Sequence, residues 1–372
     1  MTAFSRYARL YFQPTAFVAS PFGHDGAVVR LAGGLVWFSA YEVIAVDAGA
    51  RVGSRLVPVA AIDDFIATLS DEQAEIARTT IARITAPRCP FALGERVLRL
   101  DQPQIMSILN MTPDSFSDGG QYLDDPAAAT ASGFAAMDAG ATIVDVGGES
   151  TRPGAKPVWE GDEIARIEPI VRRLAAGGAI VSIDTRKAAV MEAALAAGAA
   201  IVNDVSALTY DPQAAALLAR HACPVVLMHH QGDPETMQRE PRYGDALVEV
   251  YDWLEQRIAF AEAAGIARDR IIVDPGIGFG KNLRHNLQIL NSLALFHGLG
   301  CPILLGASRK RIIGALSNEA GVDERLGGSV ALALHGAQQG AQILRVHDVP
   351  ETLQAIRVWR GLRDEALTPP IH

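Results

Sequence analysis

Nowhere in its 372 residues does the chain run to eighteen consecutive apolar residues, so no membrane-spanning helix is expected. Positive charge is also short. There are 33 Lys and Arg against 42 Asp and Glu, a formal net charge of -9. A surface that follows nucleic-acid phosphates needs a basic stripe, so no nucleic-acid partner is expected at this balance. A locally positive cleft for a small anion stays open. Cysteine is scarce: Cys89, Cys223 and Cys301 form no motif, and Cys223 and Cys301 precede prolines at strand starts. Reduced, buried packing residues are the expectation for all three. The first residues, MTAFSRYARLYFQP, carry positive charge but no apolar stretch with a cleavage site behind it, so a cytoplasmic location is expected. GxSxG and P-loop motifs are missing, and no GxGxxG follows the first strand. His229 and His230 are adjacent and would point apart on a strand, without Cys or Glu at zinc-site spacing.

What is present is a repeat. The 49% hydrophobic content can build a large core. From about residue 100 to 360 one unit recurs: a short apolar run, a polar tip, then an Ala-rich amphipathic segment. The runs are IMSIL (105–109), TIVDVGG (142–148), IVSID (180–184) and AIVNDV (200–205). PVVLMHH (224–230), IIVDPG (271–276), PILLGAS (302–308) and QILRVHD (342–348) complete eight. Nearly continuous β-branched character marks buried parallel strands. The helical segments close on glycine, as at Gly140 and Gly265, and Pro126 stands at a first helical position. Eight such units predict an α/β fold of the (β/α)8 TIM-barrel type, with a doubly wound open sheet as the competitor.

Residues 1–95 lack this unit and predict a small α+β N-terminal domain of unknown role, ahead of a barrel domain over 100–365. Two or three antiparallel strands turn at Gly33-Gly34. A helix follows, with Ser70 as N-cap and Gln73 in capping-box position. APRCPFALGERVLRLDQP reads as a link with a short strand. Trp37 suits a core aromatic better than a ligand platform.

On a barrel the strand tips converge, and all eight tips here are polar. Asn110 ends the first strand, and Glu149 to Arg152 follow the second. Asp184, Asn203 and Asp274 cap the third, fourth and sixth strands, and acceptors of this kind suit a planar, donor-rich heterocycle. Lys310, Arg345 and His347 stand near the seventh, eighth and first strands, where barrels often bind phosphate. Asn110 has the polarity to touch phosphate oxygens or a hydrated Mg2+. The stretch ILNMTPDSFSDGG (108–120) buries little and is either a solvated connection or a flap that carries chemistry.

The blocks ILNMTPDSFSDGG, VDVGGESTRPGA, SIDTRKAAV, IVNDVSAL, VLMHHQGDPETMQ, VDPGIGFGKNLRHN, LLGASRKRIIG and RVHDV resemble, in order, those of the dihydropteroate synthase family. The resemblance covers about residues 100–365. It implies a transferase of folate biosynthesis and a sulfonamide target, a homodimer using Mg2+. The implied reaction joins 6-hydroxymethyl-7,8-dihydropterin diphosphate and 4-aminobenzoate into 7,8-dihydropteroate and diphosphate. By motif, Asp184, Asn203, Asp274 and Lys310 correspond to the pterin site, and Asn110, Arg345 and His347 to the diphosphate and Mg2+ group. Thr151, Arg152, Pro153, Phe279 and Ser308 correspond to the aminobenzoate wall, and Phe116 and Asp118 to a loop over the reacting centre. The catalytic set implied is Asp118, Asp184, Lys310, Arg345 and His347. GIGFG carries Ile277 where some members carry phenylalanine, which keeps an apolar surface but loses a ring face. A pterin-binding methyltransferase would not need the phosphate-facing cations or the SFSDGG stretch, and a silent scaffold would not need polar tips on every strand.

Overall fold

A computed structural model describes residues 4–111, 125–150, 157–232 and 240–368. Eight parallel strands form one sheet: β7 (Gln104–Asn110), β8 (Ile143–Gly147), β9 (Ile180–Asp184), β10 (Ile201–Asp204), β11 (Val225–Met228), β12 (Ile271–Asp274), β13 (Leu304–Leu305) and β14 (Ile343–Val346). Seven lie inside one of the apolar runs, and β7 exceeds its run by one residue at each end. The order is β12-β11-β10-β9-β8-β7-β14-β13, and a parallel bridge between Val273 and Ile303 brings the ends of the ring together. This is the (β/α)8 architecture the repeat predicts.

The helices between strands are α3 (Pro126–Asp138), α4 (Glu160–Ala176), α5 (Ala188–Ala197), α6 (Ala214–His221), α7 (Ala246–Ala263), α8 (Leu283–Asn291), α9 (Arg311–Leu316) and α10 (Leu326–Gln338), with α11 (Val349–Ala366) closing the chain. Local chemistry sets their starts. Asp125 accepts from the amides of Ala127 and Ala128 at 3.0 and 2.9 Å, ahead of Pro126 in the first turn. Inside the ring, Met106, Ile143, Ile180, Ile201, Val226, Ile272, Leu304 and Ile343 meet in one apolar layer near the strand starts. Phe91, Leu98 and Leu100 complete that layer from a hairpin of β5 (Phe91–Leu93) and β6 (Arg96–Leu98). The segment expected as a link with one short strand is therefore the barrel's plug. It closes the amino-terminal end and leaves chemistry to the other.

The N-terminal region is α+β, as expected, but it has four strands. β1 (Arg9–Val18), β2 (Val29–Arg30) and β4 (Ala50–Pro58) all pair antiparallel with β3 (Trp37–Asp47). β1 and β4 both escaped the sequence reading, β1 because Pro14 stands inside it and proline argues against a central strand. Two helices follow, α1 (Ile62–Ile66) and α2 (Asp71–Thr85). Ser70 caps α2 by accepting from the Gln73 amide at 3.4 Å. The return half of the capping box is not made. Gln73 is buried under the first residues and donates instead to the carbonyls of Ala8 and Ser5, at 2.7 and 3.1 Å. Trp37 is half-buried, with the Arg30 guanidinium 6.0 Å from its ring centre. All three cysteines are free thiols, but only Cys301 is buried. Cys89 is exposed, contrary to expectation, because it lies in the link ahead of the plug and outside the packed layers.

This region lies against the outside of the barrel. β1 and α2 pack on a 3-10 helix, Leu293–Leu299, and on α7, within one continuous apolar core. Tyr11 donates to the Asp252 carboxylate at 2.9 Å, and its ring meets Tyr251 edge-on at 5.4 Å.

Candidate active site

Side chains on a strand alternate, so the positions two residues above the apolar layer also face inward. Above Ile143 stands Asp145, above Ile201 Asn203, above Ile272 Asp274, and above Ile343 Arg345. Asp184 stands two steps above Ile180. Five of the eight strands thus switch from apolar to polar or ionisable above the layer and aim those groups at one mouth.

Arg345 is the hub. Its Nε lies 2.6 Å from Asp145 Oδ2, and its second terminal nitrogen lies 2.8 Å from Asp184 Oδ2. Asn203 donates its side-chain amide to the same Asp145 oxygen at 3.0 Å. Asp274 joins across Gly306, where a methyl group would sit 3.8 Å from both Asp274 Oδ2 and Arg345 Cβ. Asn110 joins across Gly147, where a methyl would lie 3.5 Å from both Asn110 Oδ1 and Asp184 Cβ. The acceptors expected for a heterocycle and the guanidinium expected for phosphate therefore share one cavity. Two acceptors in it, Asp145 Oδ1 and Asp184 Oδ1, are buried and have no hydrogen-bond partner among the described residues. So has the Ser182 hydroxyl, on the inward face of β9.

The seventh tip carries the rest. Ser308 Oγ lies 3.0 Å from His347 Nδ1 and accepts from the His347 amide at 3.2 Å, tying two residues that the motif reading assigned to different groups. Lys310 donates to the Ile277 carbonyl and holds its ammonium 4.4 Å above the Phe279 ring. Arg309, between them, has a left-handed backbone with φ of 55°. Its amide donates to Ser329 Oγ at 2.9 Å and its side chain to Asp348 at 3.1 Å, which offset the cost of that conformation.

Burial governs the ionisations. It raises the carboxyls of Asp184 and Asp274 against the pull of Arg345 and Lys310 respectively. It lowers Lys310 to about 8, with Asp274 opposing the change. Arg345 stays above its usual value because Asp145 and Asp184 outweigh its desolvation.

Asp145 and Lys281 were missed from sequence. Asp145 lies in the quoted block VDVGGES, and counting by twos from Ile143 would have placed it inside. Lys281 gave no such signal. Its buried ammonium lies 2.8 Å from His229 Nδ1 and donates to the Gly276 and Phe279 carbonyls at 2.9 and 3.1 Å, which pins the loop after β12. Burial drives both Lys281 and His229 toward their neutral forms. Phe116, Asp118, Thr151, Arg152 and Pro153 lie outside the described residues. Among the described residues no three His, Cys, Asp or Glu side chains are grouped to hold a metal ion, and no helix is long and apolar enough to cross a membrane.

Residues 106–347 match the model of the pterin binding enzyme family. A dihydropteroate synthase of Escherichia coli K12 is 48% identical over 269 residues, 72% of this chain and 94% of that protein. A solved dihydropteroate synthase of Yersinia pestis, in a sulfonamide drug complex, superposes with a TM-score of 0.72 at 43% identity, covering 74% of this chain and 100% of that one. The Xanthomonas albilineans enzyme, solved with 4-aminobenzoic acid, gives a TM-score of 0.69 at 45% identity, covering 74% of this chain and 98% of that one. With its matched residues forming the barrel and its mouth, the chain belongs to the dihydropteroate synthase family of pterin-binding enzymes.

Proposed function

We propose that the chain condenses 6-hydroxymethyl-7,8-dihydropterin diphosphate with 4-aminobenzoate, releasing diphosphate and 7,8-dihydropteroate, as a transferase of folate biosynthesis. The observation that carries this reading is the pair of buried, unpartnered oxygens on Asp145 and Asp184, beside Asn203 and Asp274. A pterin edge presents the ring and exocyclic N–H donors those oxygens require. Each charge-assisted bond would contribute about 1.5–3 kcal/mol net, and an unanswered carboxylate would cost as much.

In this assignment Asp184, Asn203 and Asp274 hold the pterin, with Asp145 added, and Lys310 lies along the ring with Phe279 behind it. Arg345 spans both halves of the substrate: it balances the ring-binding acids and faces the departing phosphates with His347 and Asn110. As the C–O bond to diphosphate breaks, electron density from the dihydropterin nitrogens supports the CH2 carbon. The amine of 4-aminobenzoate then forms the C–N bond and gives up a proton. Fixed charges aimed at the leaving group lower this barrier without reorganisation. Asp118 would face the electron-poor carbon, with Phe116 on the same segment. Thr151, Arg152 and Pro153 would wall the aminobenzoate together with Phe279 and Ser308.

Mg2+ fits this arrangement as an ion carried by the diphosphate. Asn110 offers a neutral oxygen at the mouth, and such ions commonly keep their waters and take most other ligands from phosphate. Bound there, it would neutralise leaving-group charge. A homodimer in the cytoplasm completes the proposal.

The direct test is Asp184→Asn. A donor would replace an acceptor that meets ring N–H groups, while the residue keeps its shape. Turnover should fall about a hundredfold, the effect of losing one charge-assisted contact in the transition state, with the melting temperature little changed. Near-normal turnover in the folded variant would remove Asp184 from the ring site.

A further inference from the structure

β13 and β14 pair only at Leu304 with Ile343 and at Leu305 with Leu344. Past that point the two tips leave the backbone ladder, and side chains hold them together. Ser308 Oγ accepts from the His347 amide at 3.2 Å, as the carbonyl of a continuing strand would. One residue further along each tip, Arg309 Nε donates to Asp348 at 3.1 Å. The Arg309 amide donates to Ser329 Oγ at 2.9 Å, and the Arg309 carbonyl accepts from Arg325 at 3.0 Å. These bonds hold the tip in place around Ser308, which is buried.

The hydroxyl has a second contact, 3.0 Å to His347 Nδ1, and counting hydrogens gives its direction. Were Nδ1 the donor, Ser308 Oγ would accept twice. Its own proton would then be buried with no acceptor among the described residues. With the hydroxyl as donor every hydrogen is used, since Oγ accepts from the amide and gives its proton to Nδ1. The neutral imidazole then carries its own proton on Nε2. His347 and Arg345 flank Val346 and share a face, and Arg345 faces the mouth. A phosphate oxygen accepts hydrogen bonds and repels lone pairs, so the ring serves it only with N–H turned outward. A lone imidazole exchanges between two tautomers, and one buried hydroxyl selects the useful one.

We propose that Ser308 is a positioning residue for the diphosphate half of the site: its hydroxyl fixes the His347 ring with Nδ1 as acceptor and Nε2–H as the donor offered to a phosphate oxygen. The inference rests on the placement of His347 beside the departing phosphates made above. It separates two tasks of Ser308. With its hydroxyl committed to His347, the residue offers 4-aminobenzoate only carbon and backbone surface. The substrate whose binding depends on the hydroxyl is the pterin diphosphate.

The experiment takes two readings on the full chain. The first is nitrogen NMR of protein isotopically labelled at histidine, with the His347 signals identified by their loss in His347→Gln. In the wild type Nδ1 should resonate as an unprotonated nitrogen and Nε2 as a protonated one. Ser308→Ala should move both toward the average of the two tautomers. The second reading is steady-state kinetics. Ser308→Ala should raise the KM for the pterin diphosphate about fivefold, the size of one neutral hydrogen bond. The KM for 4-aminobenzoate should stay within about twofold. In a His347→Ala background the same substitution should add nothing, because the residue it acts through is gone. A protonated Nδ1 in the wild type, or ring signals unmoved by Ser308→Ala, would overturn the proposal. So would a rise confined to the aminobenzoate KM, or an equal effect of Ser308→Ala with and without His347. His347→Ala alone reads the underlying assignment. It should raise the KM for the pterin diphosphate about tenfold or more, as loss of a charge-assisted contact does. If it does not, that assignment fails and takes the purpose of the pairing with it, while the nitrogen signals still report the pairing itself.

Discussion

Lys310 shows how far one side chain's surroundings reach. Its ammonium is half-buried over the Phe279 ring within electrostatic reach of Asp274, and desolvation brings it to about 8. The sign of the consequence for stability follows from proton counts. The folded chain releases this proton near pH 8 and the unfolded chain near its ordinary value of 10.5. Between those limits the unfolded chain binds more protons, so Lys310 adds stability as pH rises through that window and none below it. Function runs the other way, because the cation is what the site uses. The kcat/KM for the pterin diphosphate should fall above about pH 8, and Lys310→Arg should move that limb upward while lowering the plateau, since a guanidinium fits the Ile277 carbonyl and Phe279 differently. A wild-type profile flat to pH 10 would take Lys310 out of the binding of this substrate.

At the scale of the element, the loop after β12 shows what sequence discloses and what it withholds. GIGFG carries three glycines, yet Lys281 pins the loop from beneath through His229 and two carbonyls. At Gly276 the backbone has φ of 67°, and an added Cβ would fall 1.9 Å from the His229 carbonyl oxygen. Gly276→Ala should therefore cost about 3 kcal/mol, near the upper end for a single substitution, and should lower the urea midpoint along with the melting temperature. A variant that melts like wild type would mean that His229 and its strand shift freely. The eight strands were legible because parallel strands buried on both faces must be β-branched almost throughout, and the helices because they end on glycine. The mouth was legible where a polar residue ended a strand, as at Asp184, Asn203 and Asp274. Asp145 was not, because it lies inside an apolar run and only the register of the pleat tells inward from outward. The Ser308–His347 contact was not, because two tips must come together before either side chain has a neighbour.

Across the whole molecule, the Escherichia coli relative matches over 94% of its own length but 72% of this chain, and the family match begins only at residue 106. The barrel packs directly against the residues that precede it. Leu293, Leu295 and Phe296, on the 3-10 helix before β13, are buried and join the apolar core of β1, β3 and α2. Arg88 reaches in to donate to the His297 carbonyl at 3.1 Å, and Arg363 on α11 donates to the carbonyls of Leu35 and Val18 at 3.2 and 3.1 Å. A chain beginning at residue 98 would expose those apolar side chains, each worth about 1.5–3 kcal/mol on burial, and three or four such losses approach the 5–15 kcal/mol that keeps a typical domain folded. It would keep Leu98 and Leu100 but lose Phe91 from the plug. The truncated chain should therefore aggregate on expression, or melt at least ten degrees below the full chain, and show no dihydropteroate synthesis at temperatures where the full chain is active. Restoring charge at the exposed face, with Phe296→Lys and Leu293→Glu, should return solubility to the truncated chain while unfolding the full-length one, because the same surface would then be wrong for β1 and α2. A truncated chain that is soluble, melts with the full chain and turns over normally would show that the N-terminal sheet only leans on the barrel, and that its shared core contributes little.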